Sequence, residues 1–140
     1  DGIWAMADTP LNCVDVSTLP FPGFATDYMP FAVTLMSVSK GTSIITENIY
    51  DNRFAFTTEL VRMGADIRTE GRHCVIRGVD RLSGAQVSAA DVRAGAALCL
   101  AGLVADGETV VHDTMHVWRG YHDLAKSLTK LGADVKWESN

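Results

Sequence analysis

No stretch of this 140-residue chain reaches the roughly 18 apolar residues that a bilayer-spanning helix needs. The longest apolar run, Ala94 to Ala105, is broken by Gly95 and Gly102 and reads as a buried helix. The opening Asp1-Gly2-Ile3-Trp4 has no basic segment leading into an apolar one, so no export signal is expected there. Positive charge is scarce: 12 Lys and Arg stand against 17 Asp and Glu, a formal net charge of −5. A general nucleic-acid binder carries a basic face, and this balance excludes one. The few aromatic side chains are scattered and form no base-stacking series. Cys13, Cys74 and Cys99 are an odd number without metal-type spacing, and are expected as free thiols in a cytoplasmic protein.

Metal chemistry is poorly served elsewhere too. His73 and Cys74 are neighbours in a strand pattern, and successive strand side chains point to opposite faces. His112 and His116 have a spacing that suits a metal only on one helix, yet His112 falls in an expected strand. His73 and His122 read as surface residues, and Cys99 as part of a helix core.

What is present is a repeat. Lys40-Gly41-Thr42-Ser43-Ile44-Ile45 parallels Asp106-Gly107-Glu108-Thr109-Val110-Val111, a turn glycine followed by a β-rich run. Leu60-Val61-Arg62-Met63-Gly64-Ala65-Asp66-Ile67 parallels Leu128-Thr129-Lys130-Leu131-Gly132-Ala133-Asp134-Val135, a helix end, a glycine stop and a strand start. Arg53 and Arg119 stand at matching places. The chain is therefore α/β (α+β), with two copies of a β-α-β-α-β-β unit.

In the first copy, strands are expected at Cys13 to Val16, Ser43 to Thr46, Asp66 to Thr69 and Cys74 to Arg77. Helices are expected at about Asp27 to Ser39 and Arg53 to Met63. In the second, strands fall at Ala85 to Ser88, Thr109 to His112 and Asp134 to Trp137, and helices at about Asp91 to Ala105 and Gly120 to Leu131. Phe56, Leu60 and Met63 make one apolar stripe, and Tyr121, Leu124, Leu128 and Leu131 another. Ile3 to Met6 is read as the last strand of a preceding unit, occupying residues 1–10. The first unit then spans 11–80 and the second 81–140. Leu19-Pro20-Phe21-Pro22-Gly23-Phe24 is a stiff loop leading to Thr26 and Asp27, either of which can cap the first helix.

Asp27, Arg53, Arg93 and Arg119 stand at element ends, Arg119 in a loop. Asp27 matches Arg93 between copies, and Arg53 matches Arg119. If the units pack about a pseudo-symmetry axis, three arginines beside helix N-termini would make a site for phosphate or carboxylate. An Asp at a helix start is ordinarily a cap, and a loop Arg ordinarily a solvated residue. Composition and spacing alone stop at an α/β repeat with a candidate anion site.

At these residues the sequence resembles the enolpyruvyl transferases, in particular the UDP-N-acetylglucosamine 1-carboxyvinyltransferases. The resemblance is carried by Phe24-Ala25-Thr26-Asp27, by Gly41-Thr42-Ser43-Ile44-Ile45-Thr46-Glu47 and by Asn52-Arg53-Phe54. It continues through Leu60-Val61-Arg62-Met63-Gly64-Ala65, Leu82-Ser83-Gly84-Ala85, Asp91-Val92-Arg93-Ala94 and Arg119-Gly120-Tyr121. It implies part of an inside-out α/β barrel, an incomplete domain of a two-domain enzyme with its active site in the interdomain cleft.

The resemblance further implies UDP-N-acetylglucosamine and phosphoenolpyruvate as substrates, with no cofactor and no metal. Asp27 would contact the sugar nucleotide and take its 3-hydroxyl proton, and Ile49 would touch it mainly through backbone. Arg93 and Arg119 would surround phosphoenolpyruvate, Arg53 would line the cleft, and Asp91 would organise the site. The proton donor, a Cys or Asp on a mobile loop, would lie in the other domain, so the isolated chain is expected to be inactive. It would then depend on that domain or associate with itself. Trp118 stands where the family usually has Asp, and Tyr28-Met29 replaces a pair usually ending in Gln. Three rival readings are a non-catalytic binding or regulatory module, a transferase acting on another nucleotide, and the sister transferase acting on shikimate 3-phosphate.

Overall fold

The computed structural model describes residues 2–138. Alternation builds its main sheet. In β2 (Thr42–Thr46) Ser43 and Ile45 point inward, and in β4 (His73–Arg77) Cys74 and Ile76 do. The two run antiparallel with Ile45 opposite Cys74, so both apolar sets share one face. β3 (Asp66–Glu70) continues antiparallel on the far side of β4, and short β1 (Val16–Ser17) lies parallel to β2, giving the order β1-β2-β4-β3.

Helices cover the inner face. α1 (Met29–Ser37) buries Met29, Val33 and Met36, and carries Pro30 in its first turn, where a missing N–H leaves no bond unmade. α2 (Thr57–Arg62) and its flanks bury Phe56, Leu60 and Met63, the stripe expected from the sequence.

The second half repeats the plan with smaller sheets. β5 (Leu82–Ser83) pairs in parallel with β7 (Ala105–Asp106), and β6 (Gln86–Ser88) with β8 (Val110–His112). Between them α3 (Val92–Leu103) lays its Ala-rich face, with Leu98, into the common core and packs on α1. α4 (Met115–Gly120) packs on α3, and α5 (Leu124–Lys130) follows.

The repeat holds down to single hydrogen bonds. Cys13 N–H donates to the Lys40 carbonyl at 2.8 Å, and Gly84 N–H to the Asp106 carbonyl at 2.7 Å. Thr18 N–H donates to Thr46, and Ala89 N–H to His112. At both helix stops the N–H after the glycine reaches back: Ala65 to Leu60 at 3.0 Å and Ala133 to Leu128 at 3.1 Å. Each closure places its glycine at positive φ, +92° for Gly64 and +97° for Gly132, where a Cβ would be strained.

Several expectations are corrected. Ile3 to Met6 forms no strand and is exposed, because no described neighbour offers it a ladder. Asp134 to Trp137 is irregular for the same reason. Neither Thr26 nor Asp27 caps α1: both sit inside a 3-10 turn, Thr26–Tyr28, and the Thr26 hydroxyl is committed elsewhere. Residues 51–56 form turns before α2 starts. Arg119 lies in the last turn of α4, not in a loop, and the helix expected from Gly120 starts at Leu124. Leu131 is exposed, so the second stripe ends at Leu128. The expected mixed α/β class stands, and the strands of the described residues form separate open sheets with no closed barrel.

Candidate functional site

The interior contacts of α1 and α3 bring two chain-distant element starts together. Asp27 occupies the turn before α1, and Arg93 the first turn of α3. Arg93 Nη1 donates to Asp27 Oδ1 at 2.7 Å. Asp91 is the true cap of α3: its Oδ1 accepts from Arg93 N–H at 2.9 Å and Ala94 N–H at 3.0 Å. The same oxygen lies 3.4 Å from Arg93 Nε. One guanidinium thus bridges two carboxylates.

Burial works against the charged form of Asp91, but the Ala94 and Arg93 N–H groups and the Arg93 charge outweigh it and hold its pKa below the ordinary value. Burial likewise opposes the charge of Arg93, and the bond to Asp27 with the charge of Asp91 more than offsets it, raising its pKa.

This bridge lies in an open cleft of about 570 Å³, lined also by His116 and Gly120 from the two ends of α4 and by Tyr121 just after it. Val92 lies so close to Gly120 that a Cβ there would sit 2.1 Å from Val92 Cγ1, so the glycine sets how near α4 comes to α3. A guanidinium has five N–H donors, and the two carboxylates engage only part of them. The remainder can receive a phosphate or carboxylate oxygen.

The other expected residues lie apart from the bridge. Arg53 stacks its guanidinium over the Tyr50 ring, 4.3 Å from its centroid. Arg119 is exposed, and neither it nor Arg53 lines this cleft. Ile49 is half-buried in the loop after β2. Trp118, just before Arg119, makes edge contacts with His122 and Trp137. His112 bonds Gln86, on a different element from His116.

The sequence of this chain matches the family described as EPSP synthase (3-phosphoshikimate 1-carboxyvinyltransferase) over residues 4–128. The chain belongs to this family. It is 54% identical over 125 residues to the UDP-N-acetylglucosamine 1-carboxyvinyltransferase of Mycobacterium bovis, covering 89% of this chain and 30% of that protein. It is 57% identical over 120 residues to UDP-N-acetylglucosamine 1-carboxyvinyltransferase 2 of Caldanaerobacter subterraneus, covering 86% and 29%. Among solved structures, the enolpyruvyl transferase NikO from Streptomyces tendae superposes with a TM-score of 0.85 at 32% identity, over 93% of this chain and 30% of that one. EPSP synthase from Acinetobacter baumannii gives 0.64 at 27% identity, over 82% and 27%. The chain spans about 30% of the length of the curated relatives it matches.

In this enolpyruvyl transferase unit, one residue bonded to the Asp27 turn is not singled out by the sequence. Glu47 is only 1% exposed and accepts four hydrogen bonds. Burial opposes its charge, but the hydroxyls of Thr26 and Thr18 and the N–H groups of Ile49 and Tyr50 together hold its pKa below the ordinary carboxylate value. The available signal was the contrast between copies, where Asp113 replaces Glu47 and no hydroxyl replaces Thr18 or Thr26.

Proposed function

We propose that this chain is part of an enolpyruvyl transferase moving the enolpyruvyl group of phosphoenolpyruvate to the 3-hydroxyl of UDP-N-acetylglucosamine, in peptidoglycan precursor synthesis. The bridge Asp27–Arg93–Asp91 carries this reading. It puts a carboxylate suited to accept a hydroxyl proton against a fixed cation suited to hold phosphate or carboxylate. The names and 52–57% identities of the curated relatives support the sugar-nucleotide acceptor over shikimate 3-phosphate.

In this reading Asp27 takes the 3-hydroxyl proton as that oxygen bonds to C2 of phosphoenolpyruvate, while C3 gains a proton. Loss of phosphate from C2 together with a proton from C3 then leaves the enol ether. Arg93 holds the anionic donor with its unengaged N–H groups, and Asp91 fixes the plane of that guanidinium. Arg119 and Arg53 line the remainder of the donor and acceptor sites, and Ile49 meets the sugar nucleotide through its backbone. The acid that protonates C3 is not assigned to this chain. Burial pushes the Cys74 thiol up to about 12 and the Cys99 thiol up to about 11, which leaves neither poised to exchange a proton at neutral pH.

Calorimetry with UDP-N-acetylglucosamine, with and without phosphoenolpyruvate, tests this on the chain and on Asp27→Ala. Binding that the substitution weakens supports the reading. A folded sample that binds neither compound overturns it for the isolated chain: either another domain supplies the affinity or the scaffold serves another role. A second acceptor is worth the same titration. Trp118, in edge contact with His122 and Trp137, puts a bulky indole immediately before Arg119 that would suit a different nucleotide.

A further inference from the structure

Glu47 hydrogen-bonds two segments that are distant in the chain. Its Oε2 accepts from the Thr26 hydroxyl at 2.7 Å, inside the turn that presents Asp27. Its Oε1 accepts from Ile49 N–H at 2.7 Å and Tyr50 N–H at 3.1 Å, in the loop after β2. The Thr18 hydroxyl donates to the same Oε1 at 2.8 Å and accepts from Asn48 N–H at 2.9 Å, closing the network at the end of β1. Bonds to a buried, charged acceptor are the strong ones, and their geometry is fixed because the carboxylate has no solvent to turn toward.

The internal repeat supplies a control. Aligning Thr46 with His112 places Asp113 where Glu47 stands and Val92 where Thr26 stands, and Ala89, whose N–H bonds His112 as Thr18 N–H bonds Thr46, takes the place of Thr18. Asp113 is exposed, sits at φ +57°, and its carboxylate meets only the Ser88 hydroxyl. The second unit therefore folds the same way without the buried carboxylate. The unit's architecture does not require it. The network is confined to the copy that carries Asp27 and Ile49.

We propose that Glu47 is a positioning residue that fixes the Asp27 turn and the Ile49 loop relative to each other, so that both address one ligand. This rests on the sugar-nucleotide reading above and extends it by naming what sets the spacing of its two contacts. Arg93 also holds Asp27, and Arg72 and Thr18 hold Asn48, but none of these bonds joins the Asp27 turn to the Ile49 loop. Asp27 is exposed, Ile49 is only half-buried, and residues 48–50 lie outside any helix or strand.

The test compares the wild-type chain with Thr26→Val, Thr26→Ser and Glu47→Gln, by UDP-N-acetylglucosamine calorimetry and by amide hydrogen exchange. Thr26→Val removes one bond to the carboxylate and is expected to weaken binding by about tenfold or more. Exchange should quicken at Tyr28, whose N–H closes the Asp27 turn on Ala25. Thr26→Ser keeps the hydroxyl and is expected to restore both. Glu47→Gln should quicken exchange at Ile49, Tyr50 and Tyr28 together, and by more than at the core amides of α3.

Unchanged affinity in Thr26→Val, with wild type binding normally, overturns the proposal. So does a Glu47→Gln response spread evenly over the whole chain, which would mark Glu47 as a general stability residue. If wild type binds no sugar nucleotide, the functional reading fails on its own. The exchange pattern then still decides, supporting the coupling if the response is shared by the two segments and overturning it if either stays silent.

Discussion

At the residue scale the decisive feature is how few charges do how much. Arg93 serves two carboxylates, so the cleft around it carries two negative groups and one positive. An anionic ligand entering it meets a cation already partly compensated. Replacing Asp27 by Asn removes one negative charge and keeps the shape. Inorganic phosphate should then bind several-fold more tightly, while UDP-N-acetylglucosamine binding weakens. Titration of both ligands checks the opposite signs, and loss of both affinities together would mean that Asp27 chiefly holds Arg93 in place.

Glu47 and Asp91 also make stability depend on acid. Both have folded-state pKa values lowered from ordinary values of 4.5 and 3.8. A depressed pKa contributes stability that is complete above the unfolded value and disappears as pH falls through the folded one, because the unfolded chain binds the proton first. The urea midpoint should therefore hold steady from pH 7 down to about 5 and fall steeply below about 4.5. Glu47→Gln should lower the midpoint at neutral pH and flatten that fall. A variant that keeps the wild-type slope would remove Glu47 from the cause.

At the element scale, spacing between helices shapes the cleft. The end of α4 abuts the start of α3 through Gly120 and Val92, next to the bridge. Gly120→Ala adds a methyl group where Val92 Cγ1 already stands, and overpacking of this kind costs about 1–3 kcal/mol. A fall in the melting temperature of a few degrees is expected, with looser binding of any ligand that touches both Arg93 and Tyr121. Val92→Ala in the same chain makes room for the new methyl and should recover part of both losses.

Elements were legible in sequence where local chemistry alone decides them. Gly64 and Gly132 stop their helices by the same backbone closure, and the alternation of Ser43, Ile45, Cys74 and Ile76 put β2 and β4 where the pattern said. The failures fall where tertiary partners decide. Ile3 to Met6 and Asp134 to Trp137 have strand-like composition but no strand beside them. Thr26 was expected to cap a helix, and instead donates to a buried carboxylate from a distant strand end. The Asp27–Arg93 pairing of copies was visible as a repeat, but their direct contact depends on how α1 lies on α3. Glu47 stood in plain view at the end of β2, and only burial distinguishes it from the surface acids around it.

At the scale of the whole molecule, large apolar side chains cluster in the exposed segment of residues 3–6. Ile3 is 100% exposed, Trp4 80% and Met6 64%, and Phe21, Leu103 and Val104 add to the exposed set. Fully burying a side chain of this class is worth about 1.5–3 kcal/mol. Three adjacent ones can therefore drive association in the micromolar range after the ordering of residues 2–7 is set against the gain. Sedimentation velocity on the isolated chain should show a concentration-dependent shift from monomer to dimer or larger species. The combined Ile3→Ser, Trp4→Ser and Met6→Ser variant should remain monomeric over the same range, with an unchanged melting temperature, since none of the three contributes to the core. A wild-type chain that stays monomeric at tens of micromolar would show that these side chains find cover within their own molecule. Their emission would then report it, with Trp4 shifted to the blue of an exposed indole.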